Sequence, residues 1–204
     1  MRVALTFDAE HPDRVHRPGV ADEIVAVLAA EDVRATFFLE GRWTKANPST
    51  ALRIAQAGHL VGSHSFFHGR MPELSPEGMR SDIRAAEQAI REIAGVDPRP
   101  WFRCPYGAGW DDPGVRGVLE DLGYRHIGWD VVLDDWEPER DPAELLAALV
   151  DGLGRCDGEA VVLLHTWPEA TAHVLPALIA SLRERQAELV GVDELEHAPE
   201  AVVY

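Results

Sequence analysis

Residues 3–11 read VALTFDAEH. Val3–Phe7 has the length and apolar composition of a buried strand, and it stops on a cluster of polar side chains, Asp8, Glu10 and His11. The same pattern recurs outward from it. Strand-like runs are expected at Ala35–Leu39, Leu60–Ser63, Pro100–Cys104, His126–Val131, Ala160–Leu164 and Leu189–Val192. Between them lie helical stretches at Ala21–Ala30, Thr50–Ala57, Ser75–Ala94, Pro113–Leu122, Pro142–Leu153 and Ala172–Arg185. Ser75 with Pro76 starts the longest of these as cap and first residue, and Gly123 ends the fourth. Strands alternating with helices predict an α/β fold with a parallel sheet. Units of roughly 25–30 residues fit a (β/α) barrel of about seven parallel strands better than an open doubly wound sheet. No glycine-rich phosphate loop follows the first strand, which also speaks against the open sheet.

The chain has 204 residues, 46% hydrophobic and 26% charged, enough for one core and consistent with a single domain over residues 1–204. Its 19 basic and 35 acidic residues give a net charge of −16, which excludes a nucleic-acid partner and disfavours an anionic membrane surface. The same charge weighs against strongly anionic glycans and favours neutral substrates. Cys104 and Cys156 make no disulfide framework, although the two could pair with each other. No apolar run approaches the roughly 18 residues of a membrane span. MRVALTFDAE shows no cleavable leader, so a cytoplasmic location is expected if Met1 is the natural start, and an extracellular one if a leader was removed.

The chemistry-bearing residues collect after the strands: Asp8 and Glu10 after the first, His64 and His68 after the third, Arg103 with Tyr106 after the fourth, Asp130, Asp134, Asp135 and Trp136 after the fifth, and His165 after the sixth. In a barrel these strand ends meet in one cleft. Asp8 and Glu10, two apart on an extended chain, share a face. His64 and His68 are four apart, so a helical turn would aim both imidazoles one way. A pair spaced like this is, taken alone, more often a surface and a core histidine, but two imidazoles beside a carboxylate suit a catalytic divalent metal with open positions. Two acids in one cleft can divide the work of binding metal and taking a proton. His165 reads as a satisfied core histidine or as a general acid, and the latter needs an orienting carboxylate, for which Asp135 and Asp134 are the candidates. Arg103 is a fixed positive fork able to hold Asp8 ionised and oriented. Tyr106 can contact an oxyanion, and Gly107 suits a turn of positive φ.

Taken in order, TFDAE, HSFFH, RCPYG, DDW and LLHT resemble the motifs of the polysaccharide deacetylases, the NodB-homology domains of carbohydrate esterase family 4, from Thr6 to about Leu195. The resemblance implies a distorted (β/α) barrel and metal-dependent removal of N-acetyl, sometimes O-acetyl, groups from sugars. It implies that Asp8 is the catalytic base, His64 and His68 the metal-binding histidines, Arg103 the tether of the base, Asp135 the acid that tunes the catalytic histidine and His165 the general acid. It also implies that Trp136 and Leu164 wall the acyl pocket. The family commonly carries two adjacent acids in its first motif; here Ala9 stands at the second place and Glu10 follows, so the metal role passes to Glu10. The expected cofactor is a divalent metal, Zn²⁺ first, with Co²⁺, Ni²⁺ or Mn²⁺ as alternatives, and the expected partner an acetylated sugar or small amide. Two rival readings are a C–N hydrolase of a small cytosolic amide or cyclic imide, and a catalytically silent metal- or glycan-binding module.

Overall fold

The computed structural model describes residues 1–14, 17–137 and 140–201. Eight parallel strands make one sheet: β1 (Arg2–Ala9), β2 (Thr36–Leu39), β3 (Leu60–Ser63), β4 (Trp101–Phe102), β5 (Arg125–His126), β6 (Val131–Val132), β7 (Glu159–His165) and β8 (Glu188–Leu189). Seven of them run in the order β5-β4-β3-β2-β1-β7-β6, and β8 pairs with the first residues of β1. The helices are α1 (Val20–Ala30), α2 (Gly41–Ala46), α3 (Pro48–Gln56), α4 (Pro76–Ala94), α5 (Pro113–Asp121), α6 (Pro142–Leu153) and α7 (Glu169–Glu184). Local chemistry sets the ends of α4, since the Ser75 hydroxyl accepts from Gly78 N and Gly95 stops the helix at φ 74°.

The sheet curls into an open half-barrel, and side-chain parity sorts it into two cores. Val3, Leu5, Phe7 and Ala9 of β1 point outward, with Val162 and Leu164 of β7, into the large core beneath the helices. Ala4 of β1 and Val161 and Leu163 of β7 point inward, with Phe38, Trp101, Ile127 and Trp129, and fill the interior.

One expected strand is divided. His126–Val131 reads as a single apolar run, yet β5 pairs with β4 and β6 with β7, at opposite ends of the path. The chain between them spans the gap, with Ile127 N bonded to Phe102 O on one side and Asp130 N to Val161 O on the other. Gly128 permits this crossing, because a Cβ there would lie 1.8 Å from the carbonyl oxygen of Ala201. The half-barrel is thus bridged by backbone rather than closed by a strand pair, a feature that hydrophobic periodicity does not encode. The short helix α2, six residues long, likewise carries no hydrophobic period that would announce it. Cys104 and Cys156 are both free thiols. Among the described residues, no helix is long and apolar enough to cross a membrane.

Candidate active site

The inward parity of β1 continues past its end. Thr6, Asp8 and Glu10 face the interior, while Ala9 packs outward in the helix-side core. Acids two apart therefore project into the same space, and an acid at position 9 would point into apolar packing. Asp8 is aligned with His165 in the β1–β7 register, which puts a carboxylate and an imidazole side by side at the open end of the half-barrel.

Arg103 follows β4 and is completely buried. Its Nη1 donates to Asp8 Oδ1 and to Thr6 Oγ1, each at 2.9 Å, its Nε to Ile127 O at 3.1 Å and its Nη2 to Gly128 O at 2.9 Å. A buried guanidinium is tolerated only when its donors are met in this way. Burial lowers its pKa, and the Asp8 carboxylate opposes that. With Oδ1 held, Asp8 presents Oδ2 to His64 Nε2 at 3.6 Å.

His64 and His68 do converge, but through a tight non-helical turn rather than a helix. Ser65 and His68 adopt left-handed φ values of 63° and 56°. The Asp82 carboxylate, from α4, accepts the Phe66 and Phe67 amides at 2.8 and 3.1 Å, and Ser65 Oγ accepts the His68 amide at 2.9 Å. His64 Nδ1 lies 2.9 Å from the Arg103 carbonyl, which can only accept, so Nε2 of the neutral ring carries a lone pair. That Nε2 is 3.1 Å from both His68 Nε2 and Glu10 Oε2, and Glu10 Oε2 is 2.5 Å from His68 Nε2. Three donor atoms this close, of types N, N and O, require a proton or a cation among them. A divalent metal fits the donor set. Burial works against the Glu10 anion, but the facing His11, His64 and His68 side chains outweigh it and hold the carboxyl well below the usual range.

His165 ends β7. Its Nδ1 is 2.7 Å from Asp135 Oδ1, and Asp135 Oδ2 accepts the His165 amide at 2.8 Å and the Thr171 hydroxyl at 2.6 Å. Of the two aspartates, Asp135 is the one that meets His165; Asp134 turns away toward Arg140, 3.9 Å distant. Burial disfavours the imidazolium, yet the Asp135 carboxylate dominates, helped by Glu10 and Asp8, and pushes His165 up to about 9. His165 Nε2 lies 3.8 Å from Glu10 Oε1.

A cavity of about 460 Å³ opens over these groups. Trp136 walls it, 5.1 Å from the His165 ring, and Tyr106 stands at its mouth, half exposed, 4.5 Å from the His68 ring. Leu164 does not line it. That side chain points into the helix-side core, and Leu163 takes the expected place because it shares the face of His165 two residues on. Strict alternation along β7 is a signal that would have found it. Trp129, Trp167 and His11 also line the cavity; Trp167 agrees with the sequence, which pairs it with Trp136 as a pocket wall, whereas Trp129 and His11 have no role legible there. Among the described residues, five of the seven non-glycine residues with positive φ (His11, Ser65, His68, Tyr106 and Asp134) sit in the loops that carry this site, the kind of place where backbone strain collects.

The half-barrel and its interior-facing Asp, His and Arg set define a hydrolase-like site with a metal-compatible donor cluster. The polysaccharide deacetylase family model matches residues 1–127, and the chain belongs to that family. It is 34% identical to the chitin deacetylase of Colletotrichum lindemuthianum, over 97% of this chain and 81% of that protein. It is 32% identical to the peptidoglycan-N-acetylglucosamine deacetylase PgdA of Listeria monocytogenes, over 95% of this chain but 38% of that protein, so it spans well under half of that relative. Among solved structures, a CE4 family pseudoenzyme from Bacillus anthracis matches with a TM-score of 0.84 at 29% identity, covering 99% of this chain and 66% of that one.

Proposed function

We propose that this chain is a metal-dependent hydrolase that removes the N-acetyl group from an amino sugar or its oligomer. The observation that carries the reading is the Asp8–His165 register pair, which sets a base and an acid around Glu10, with one ligand atom of each of the three residues lying within 4.8 Å of the others. Chitin and peptidoglycan deacetylases among the relatives support the substrate class. Because a structural neighbour is a pseudoenzyme, completeness of the site matters, and the residues read here as base, tether, metal donors, acid and orienting carboxylate all meet in one cleft.

Glu10, His64 and His68 would hold the metal, which when bound supplies Lewis-acid polarisation of the amide carbonyl and activates water near neutral pH. Asp8, fixed through Oδ1 by Arg103, uses Oδ2 to take the proton of the attacking water. His165 donates its Nε2 proton to the leaving amine while Asp135 stabilises the imidazolium at Nδ1. Trp136, with Leu163 and Trp129, encloses the acetyl group, and Tyr106 contacts the substrate at the mouth. A hydrolase aimed at uncharged acetamides also agrees with the net charge of −16.

Acetate release from N-acetyl-chitooligosaccharides, measured on chelated and Zn²⁺-reconstituted protein beside a panel of hydantoins and cyclic imides, tests this. Metal-dependent acetate release is expected. Turnover of imides alone makes the chain a small-amide hydrolase. Metal binding with no turnover of any acetamide, ester or imide makes it a silent binding module.

A further inference from the structure

Glutamate has one more rotatable bond than aspartate, so a glutamate ligand keeps its aim only when its second oxygen is held. In this protein the two oxygens of Glu10 face different partners. Oε2 turns to His64 and His68, while Oε1 lies 3.0 Å from His11 Nε2. His11 is placed for this at a cost, since its backbone is left-handed at φ 56°, a conformation a non-glycine residue keeps only where its surroundings hold it there. What holds the turn is Glu40, which follows β2 and is 1% exposed. Its Oε2 accepts the His11 amide at 2.8 Å, and its own amide donates to Ala9 O at 2.9 Å. The His11 ring packs edge-on against His68, with centroids 4.5 Å apart.

We propose that His11 is a positioning residue of the metal centre, whose Nε2–H donates to Glu10 Oε1 and keeps Oε2 aimed at the two histidines, and that buried Glu40 holds His11 in the left-handed turn this requires. A longer acid two residues after Asp8 is thereby made as rigid as a shorter one. The inference rests on the metal-centre reading above.

The test measures Zn²⁺ affinity by competition with a chromogenic chelator, together with the visible spectrum of the Co²⁺ form, with melting temperature as a check on folding. His11→Ala should weaken Zn²⁺ binding about 10–100-fold, the usual effect of losing a group that orients a ligand, and should alter the Co²⁺ bands. His11→Gln keeps an N–H donor of similar reach and should recover most of the loss. Glu40→Ala should behave like His11→Ala, and Glu40→Gln, which keeps an acceptor for the His11 amide, should not. Adding His11→Ala to Glu10→Ala should cost nothing further. Zn²⁺ affinity of His11→Ala within about twofold of wild type with unchanged Co²⁺ bands, or additive losses in the double variant, would overturn the proposal while leaving the metal centre intact. Failure of the wild-type chain to bind either metal overturns both readings together.

Discussion

Arg103 Nη1 lies 2.9 Å from Asp8 Oδ1, with the arginine wholly buried and the aspartate nearly so. The same guanidinium holds the carbonyls of Ile127 and Gly128, where the chain bridges the two edges of the half-barrel. One side chain thus ties the proposed base to the span that completes the fold.

Separate substitutions should divide these two roles. Arg103→Met leaves a buried carboxylate without its counter-charge, a loss of about 3–5 kcal/mol. For a chain of this length that lowers the melting temperature by roughly 6–20 °C. Asp8→Asn keeps the shape and the acceptor for Arg103. It should lower turnover by about 10²–10⁴-fold with less than half the change in melting temperature. Thermal melts beside initial rates check this; equal destabilisation by both variants counts against it.

The His165–Asp135 pair predicts a pH limb. His165 must carry a proton to act as acid, and it is held up to about 9, so kcat/KM should fall as pH rises through about 9. Asp135→Asn removes the carboxylate that sustains this, and the limb should move to lower pH. The sign for stability is the same. A histidine whose folded value exceeds its ordinary 6.5 contributes stability in full below 6.5 and loses it as pH rises toward 9. Urea unfolding at pH 6 and pH 10 should therefore show a steeper loss for wild type than for Asp135→Asn. An unmoved limb in the variant would assign the acid elsewhere.

Leu163 and Leu164 should separate cleanly. Leu164→Ala opens a hole in the helix-side core and should cost about 2–5 kcal/mol, with kcat/KM per folded molecule unchanged. Leu163→Ala enlarges the cavity instead and should shift preference from acetyl toward butyryl amides by about tenfold. Competition between the two acyl substrates reads this directly.

Two glycines should respond with opposite sign. Gly128→Ala drives a methyl into the Ala201 carbonyl and must displace the segment bonded through Gly128 N to Pro199 O and through Trp129 N to Ala201 O. The expected loss is about 1–3 kcal/mol, with faster amide exchange at Gly128 and Trp129. Gly117, inside α5, has open space where a Cβ would go, and Gly117→Ala should stabilise by about 0.5–1 kcal/mol.

Much of the site was legible because it depends on short-range order. Asp8, Glu10, His64, His68, Arg103, Asp135 and His165 each stand within a few residues of a strand end, and parallel strands deliver those ends to one side. Leu163 was legible too, through the alternation that puts His165 inward, and naming Leu164 missed that parity. His11, Glu40 and Thr171 were not legible. Their roles arise where a loop after one strand meets the end of another, and no spacing rule relates them.

The division of the His126–Val131 run has the same origin. Apolar periodicity describes which faces are buried, and both halves are buried; the choice of β4 or β7 as partner is made by closure of the whole sheet. What residue order alone determined was the succession of strands and helices and the set of side chains placed past the strand ends, because both follow from local backbone preference and burial. Only the tertiary structure decided which oxygen of Glu10 meets the histidines and which meets His11, and how the barrel gap is bridged. Those outcomes depend on angstrom-scale contacts between segments far apart in the chain.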